Sequence, residues 1–450
     1  MDKERRLLVD PHCHVFSGRD IPLAEFLYYG REIPWGLAYF VEWLATHPAA
    51  TDQPGASRIK KAKSAAMSAQ GLQSDFQEAE ERNLLERFAA YADLMSRPVK
   101  AITARMLAEL KAVDLFTPAI TDMDCWLGDA SFYDDRVAEH GALAREDKFK
   151  GRVHPIVGFD PVRQHATRLA FGAGKDHLEQ VRKAVEEDGF VGVKVYPPMG
   201  YRPARNAEYY KGGAKVRRPD GKPVRCKLAK NDKSVEVDMT GADLDEAMDQ
   251  LFKYCVAADV PVMAHCTHHG AEASRGRGYH SDPRFWRTVL TKFNALRLNL
   301  GHFGGDTGRP SFLPGAVQLA VDFPNVYGDV GAHDLVNPGA RSAESYSYEM
   351  NSAREEGLDW RKKIMFGTDW HTTYVQASPG AYVGRYLKFF DEELSGGDAS
   401  VKTDFRSANA LRFLGLARTA PNNATRKRLE AFYKKHELFK LDGADAPAWW

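Results

Sequence analysis

Residues 6–16 read RLLVDPHCHVF. An apolar run ends in Asp-Pro, and two histidines follow one residue apart, His12 and His14. Successive side chains of a strand point to opposite faces, so both imidazoles emerge on one side and Cys13 on the other. Two imidazoles at a strand's end are natural ligands for a divalent cation. An H-x-H triplet alone is equally well a pair of hydrogen-bonded or surface histidines. Its meaning depends on what else the chain brings to the same place.

Seven further apolar runs follow. They are LFTPAITDMD (115–124), RVHPIVGFDP (152–161), FVGVKVYPP (190–198), VPVMAHC (260–266), LRLNLGHFGG (296–305), NVYGDVG (325–331) and KKIMFGTDW (362–370). Helical patterns lie between them. DHLEQVRKAVEED (176–188) sets Leu178, Val181 and Val185 on one face. ADLDEAMDQLFKYCVAAD (242–259) does the same with Leu244, Met248, Leu251, Phe252 and Cys255, and 283–293 and 313–323 follow the same logic. Near-continuous apolar strands alternating with amphipathic helices predict an α/β fold with a parallel sheet covered on both faces. Eight such units predict a closed (β/α)8 TIM barrel.

Two stretches exceed a minimal barrel. Residues 17–113 read as a helical insertion after the first strand, with helices over 75–96 and 99–113 and a loop over 45–57. Residues 197–241 read as a loop insertion after the fourth strand, carrying the basic run KGGAKVRRPDGKPVRCKLAK (211–230). That run is expected to be a solvated lid or an oligomer contact. The barrel domain is placed at 1–420, closing with a helix over 405–416. A C-terminal helical extension spans 421–450, its helix at 423–439.

Composition sets limits. The 62 basic residues nearly cancel the 61 acidic ones, which disfavours a general nucleic-acid binder or a polybasic membrane protein. No run of about 18 apolar residues is present, so no membrane span is expected. MDKERRLLVD lacks the apolar core of a secretory signal, which points to the cytoplasm. Cys13, Cys125, Cys226, Cys255 and Cys266 are odd in number and scattered, a pattern that predicts reduced thiols.

In such a barrel, chemistry sits where strands end. The fifth strand ends in His265, the sixth in His302 and the eighth in Asp369, while the fourth carries Lys194. In this order the residues resemble the amidohydrolase superfamily, in particular its amidohydrolase-related branch. DPHCHVF resembles the branch's first-strand metal motif, VGFDPVR its third strand and GFVGVKVYPP its fourth. PVMAHC and LRLNLGHFGG resemble its fifth and sixth, IMFGTDW its last, and NALRFLGL its closing helix. The resemblance covers residues 6–417 apart from the two insertions.

It implies that His12, His14, His265 and Asp369 hold a divalent metal, most often zinc. His302 would ligate a second ion in a binuclear site, or act on the substrate in a mononuclear one. Asp369 would ligate the metal and take the proton of the attacking water. Lys194 would be a metal ligand if carboxylated by CO2, as in the dihydroorotases that KVYPP resembles. Otherwise it would pair within the barrel or bind a substrate anion.

Tyr196, Arg202 and His371 are substrate-contact candidates from their places beside Lys194 and Asp369. His268, His269, Arg275 and Arg277 in the loop after strand five are weaker ones, because loop histidines and arginines are commonly solvated, while His333 and Asp334 after strand seven are candidates to support the ligands from behind. The resulting expectation is a hydrolase cleaving a C–N or C–O bond of a small carboxylate-bearing amide or lactone. A nonoxidative decarboxylase using the same ligands is the alternative. A binding or assembly module and a metallonuclease are remote readings. A small-molecule substrate is expected, with no nucleic acid or membrane partner, and a homo-oligomer is allowed.

Overall fold

Valine, isoleucine and leucine runs of four or five residues, each closed by Gly, Pro, His or Asp, fold as short strands buried on both faces. The computed structural model describes residues 7–30, 45, 91–128, 131–268, 272–305, 311–332, 341–370, 379–418, 423–441 and 445–450. The barrel strands are β1 (Val9–Cys13), β2 (Leu115–Pro118), β3 (Ile156–Phe159) and β4 (Gly192–Val195). Strands β5 (Val224–Cys226) and β6 (Val235–Val237) form a separate antiparallel hairpin. The barrel resumes with β7 (Val262–His265), β8 (Leu298–Gly301), β9 (Val326–Asp329) and β10 (Ile364–Met365). Every apolar run singled out in the sequence contains one barrel strand.

All barrel pairings are parallel, in the order β3-β4-β7-β8-β9-β10, with β1 paired to β2. Single parallel bridges join the two groups at both seams: Phe116 with Val153 and Ala119 with Ile156 on one side, Cys13 with Trp370 on the other. Side chains alternate as the pleat requires. Val193, Val195, Val262, Ala264, Leu298 and Leu300 belong to the large cluster under the surrounding helices. Met263, Tyr327 and Met365, on the opposite face, join a second cluster.

Turns into helices carry acidic or hydroxyl caps. Asp160 accepts from the backbone N–H of Val162 (2.9 Å) and Arg163 (3.2 Å) to start helix Pro161–Phe171. Thr240 and Asp243 form a capping box at helix Gly241–Ala257. Of the interval 17–113, helix Val99–Glu109 packs Val99, Ile102 and Met106 into the core. Residues 31–44 and 46–90 lie outside the described residues, and with them most of the 45–57 loop and of the 75–96 helix. The interval 197–241 holds a 3-10 turn (Pro197–Met199), a short helix (Asn206–Tyr209) and the β5–β6 hairpin. No helix among the described residues is long and apolar enough to cross a membrane.

Two expectations are corrected. Five reduced thiols were the prediction, yet Cys125 and Cys226 form a disulfide, leaving Cys13, Cys255 and Cys266 free and buried. The partners are 101 residues apart in separate loops, so no local spacing announces the bond. The C-terminal helix is also shorter than 423–439: it spans Ala424–Lys435, and the chain beyond it runs under the barrel. There Trp449 and Trp450 pack with Phe413, Phe432 and Tyr433 against Val9, Leu115, Ile156, Met263 and Met365. The Trp449 indole donates to the Gly151 carbonyl (2.7 Å), and Arg418 and Arg426 donate to the Trp450 carbonyl.

His154 latches this floor. Its Nδ1–H donates to the Gly189 carbonyl (3.0 Å), so its Nε2 accepts from the Tyr433 hydroxyl (2.6 Å). Burial lowers its pKa to about 4. The unfolded chain therefore binds a proton near pH 6.5 that the native protein refuses. The contribution is complete above pH 6.5 and is lost as pH falls towards 4, by about 3 kcal/mol. His154→Gln is expected to flatten this part of the stability profile, measured by urea unfolding between pH 7 and 4.5. An unchanged slope would mean that His154 is not the group titrating.

Candidate metal centre

The pleat places His12 and His14 on one face of β1, and their rings stand 5.6 Å apart. Asp369 arrives from the other end of the chain. His12, His14 and Asp369 each offer one ligand atom, all within 4.8 Å of one another, and all three are buried. His14 Nε2 is 3.3 Å and His12 Nε2 is 3.6 Å from Asp369 Oδ1. The seam between β1 and β10 holds them there. The N–H groups of Asp369 (2.7 Å) and Thr368 (3.2 Å) both donate to the His12 carbonyl. Asp10 staples the same seam, accepting from the Thr368 hydroxyl (2.6 Å) and the His12 N–H (3.1 Å). Burial pushes its carboxyl up to about 7 despite those bonds.

The second nitrogen of each ring fixes which atom faces the centre. His14 Nδ1 meets the Ala119 carbonyl (2.7 Å) and His302 Nδ1 the Gly331 carbonyl (2.8 Å). A carbonyl only accepts, so each Nδ1 carries the proton and each Nε2 presents its lone pair. His302 Nε2 lies 3.1 Å from His265 Nδ1, which makes the latter the donor. The His302 ring is 4.8 Å from that of His12 and 4.7 Å from that of His265, so the four histidines adjoin.

Electrostatics follow burial and neighbours. Burial depresses His14 and takes His302 down to about 4, so both are neutral imidazoles. Burial alone would raise Asp369, but the imidazoles of His14, His12 and His302 around it outweigh burial and hold the carboxyl well below the usual range. Lys194 is 1% exposed, and burial lowers its ammonium to about 8. His12 Nε2 and Lys194 Nζ are buried without a hydrogen-bond partner. An orphaned imidazole lone pair, facing an ionised carboxylate and a second imidazole, is a donor set that fits a divalent cation of borderline softness.

The backbone is strained at this spot. His302 (φ 66°), Phe303 (φ 38°) and Asp369 (φ 49°) all occupy the left-handed region, at about 1–3 kcal/mol each. Asp369 is held there by its bond to the His12 carbonyl, and His302 by a bond from its N–H to Asp329 Oδ1 (3.3 Å).

Asp329, at the end of β9, is the residue that the sequence reading missed. It is fully buried. Its Oδ1 accepts from His12 Nδ1 (2.7 Å), Gly331 N–H (2.9 Å) and His302 N–H, and its Oδ2 from Asn299 Nδ2 (2.6 Å). Gly331 sits close against the cluster: a Cβ there would lie 3.0 Å from His12 Nδ1 and 3.1 Å from Asp369 Cβ, and would press on both. The available signal was one acid inside the apolar run NVYGDVG. His333 and Asp334, considered in its place, lie outside the described residues. A carboxylate behind a metal-ligating histidine fixes its tautomer and raises its basicity. Asp329→Ala is expected to weaken metal affinity by about 10–100-fold, read by chelator competition. Unchanged affinity would leave Asp329 a purely structural group.

The other candidates divide. The Tyr196 ring lies 4.8 Å from that of His265, with Lys194 Nζ 5.8 Å from its centroid. Arg202 is sandwiched between Tyr209 (4.4 Å) and Phe285 (4.3 Å). Arg277 donates to the Met199 (2.5 Å) and Arg217 (2.9 Å) carbonyls, and Arg275 is exposed. His268 packs between Tyr279 and Phe312. His371 and His269 lie outside the described residues. Within the basic run, Arg218 is buried and donates to the Leu127 carbonyl (2.7 Å), so the run is fastened to the barrel at that point.

A parallel α/β barrel with histidines and a carboxylate gathered at its strand ends defines a metal-dependent barrel enzyme. The chain belongs to the amidohydrolase family, whose profile matches residues 9–416. The family is metal-dependent and includes hydrolases and decarboxylases. The solved structures similar to this chain are distant. One is an uncharacterized TIM-barrel protein from Bordetella bronchiseptica, 14% identical over 75% of this chain and 90% of that one, with a TM-score of 0.45. Another is a zinc-bound amidohydrolase from Burkholderia multivorans, 13% identical over 75% and 95%, TM-score 0.42. A third is 5-carboxyvanillate decarboxylase from Novosphingobium aromaticivorans, complexed with manganese, 13% identical over 91% and 97%, TM-score 0.45. No curated protein matches the sequence.

Proposed function

We infer that this protein is a metal-dependent hydrolase that opens a C–N or C–O bond, an amide or a lactone, in a small carboxylate-bearing molecule. The observation that carries the reading is Asp369: a buried carboxylate kept ionised while touching two imidazoles. His12, His14, His265 and Asp369 would hold the ion, with His302 and Lys194 beside it. A divalent ion there supplies Lewis-acid activation of water and of the scissile carbonyl.

The chain's own groups do the rest. Asp369 takes the proton of the attacking water and returns it to the leaving group. His302 keeps its Nδ1 proton on the Gly331 carbonyl and accepts the His265 Nδ1–H at its Nε2, so His265 offers its Nε2 lone pair to an ion. Asp329 holds the His12 tautomer. Tyr196 forms a wall beside His265, and Lys194 offers a cation to a substrate carboxylate unless CO2 converts it to a carbamate.

The test is a product assay on protein loaded with zinc or manganese, using carboxylate-bearing lactones and cyclic amides alongside hydroxybenzoates. Ring opening with uptake of one water and no CO2 supports hydrolysis. CO2 release with a new C–H bond would replace it by decarboxylation. Elemental analysis of protein purified with bicarbonate present reads the ion count: near one per chain leaves Lys194 as the amine, near two fits its carbamate.

A further inference from the structure

We propose that the Cys125–Cys226 disulfide is a redox-operated clamp that holds the segment 197–239 over the mouth of the barrel. Cys125 lies in the loop after β2, and Cys226 ends β5, in the insertion after β4. Both loops leave the C-terminal ends of strands, the same end of the barrel as the histidine cluster. The bond therefore ties together two loops at the mouth end whose strands have only β3 between them.

The surroundings show what the bond anchors. The Arg225 N–H donates to the Cys125 carbonyl (3.2 Å). The neighbouring Trp126 stacks on Tyr201 of the insertion at 6.1 Å, takes Arg277 against its ring, and donates its indole N–H to Asp160 (2.7 Å). Tyr201 continues inward: its hydroxyl accepts from the Tyr196 N–H (2.7 Å), and the Tyr196 ring lies on His265. The insertion is thus linked to the wall of the centre through one tyrosine. The segment also sinks Val216, Val224, Val237 and Met239 into the core, and Lys230 pairs with Asp135 (2.7 Å). Residues 227–236 are exposed or half-exposed, and the hairpin buries only Val224, Cys226 and Val237. Among these ties the disulfide is the one that a reductant releases.

Reduction needs a dithiol. One of its thiolates attacks a sulfur of the pair, and its second thiol displaces the mixed disulfide. Cys125 and Cys226 leave as two thiols, having gained two electrons and two protons, and the reductant leaves as a disulfide. Both sulfurs sit in residues at most 1% exposed. Attack therefore needs a local opening around the two sulfurs, and reduction then frees the hairpin from the Cys125 loop.

The experiment compares amide hydrogen exchange by mass spectrometry in the untreated full chain and in chain treated with dithiothreitol. It needs no substrate and does not depend on the hydrolase reading. The expected result is an increase of about tenfold or more in exchange rate over 211–239 on reduction, with barrel strands and metal content unchanged. Cys226→Ser should reproduce it without reductant; if that variant fails to fold, the treated native chain carries the test. Alkylation of both cysteines in unreduced protein would overturn the proposal, as would unchanged exchange over 211–239. A rise spread over the whole barrel would also overturn it, making the bond a general staple.

Discussion

Replacing Asp369 by asparagine is expected to lower turnover by about 10²–10⁴-fold while leaving the melting temperature within a few degrees. The two side chains have the same shape, and asparagine also tolerates the left-handed backbone that Asp369 adopts (φ 49°). The bond that pins the residue to the His12 carbonyl comes from its backbone N–H and survives. What disappears is the charge between His12 and His14 and the capacity to take a proton. Steady-state kinetics, elemental analysis and thermal unfolding of the same preparation separate these effects. Full turnover in the variant would remove Asp369 from the mechanism.

Arg163→Met is expected to destabilise the fold by about 3–5 kcal/mol. Arg163 donates to both oxygens of Asp122 (2.5 and 2.9 Å) and to Asp124 (3.1 Å), and Arg136 donates to Asp124 (2.5 Å). All four side chains are buried. Removing one guanidinium leaves Asp122 a buried anion with the Asp124 N–H at 3.4 Å and a distant contact to Arg136 at 3.7 Å. Burial by itself raises Asp122, but the charge and hydrogen bonds of Arg163 prevail and keep its carboxyl well below the usual range. Its contribution is therefore present above the unfolded carboxylate pKa of about 4 and is lost as pH falls further. In the variant the carboxyl titrates upward, so the deficit against the parent should be largest at pH 7 and narrow at pH 4. Urea unfolding at both values measures it; an equal deficit at both would mean that packing, not charge, is lost.

The strands were legible because a barrel strand is covered on both faces and must be apolar along its length. His12 and His14 were legible because the strand period brings them together without any tertiary information. His265, His302 and Asp369 gained meaning only from their order along eight strands. Asp329 was hidden, since one acid in a strand looks like any other until His12 is seen against it. The disulfide was hidden for the same reason: Cys125 and Cys226 meet only when two loops from different strands fold over one mouth. The Trp449–Trp450 floor was invisible too, because a tail without periodicity says nothing about the hydrophobic surface it covers.

The seam between β1 and β10 has a consequence for biosynthesis. Thr368 and Asp369 are made more than 350 residues after Asp10 and His12. At about 5–20 residues per second, the early strand waits tens of seconds for the partner that completes its hydrogen bonds. Closing so long a loop is also the step with the highest entropic cost in the barrel. The same closure creates the cluster of His12, His14 and Asp369. An ion held by that cluster would bind only at the last stage of folding and would stabilise the closed ring over its open precursors.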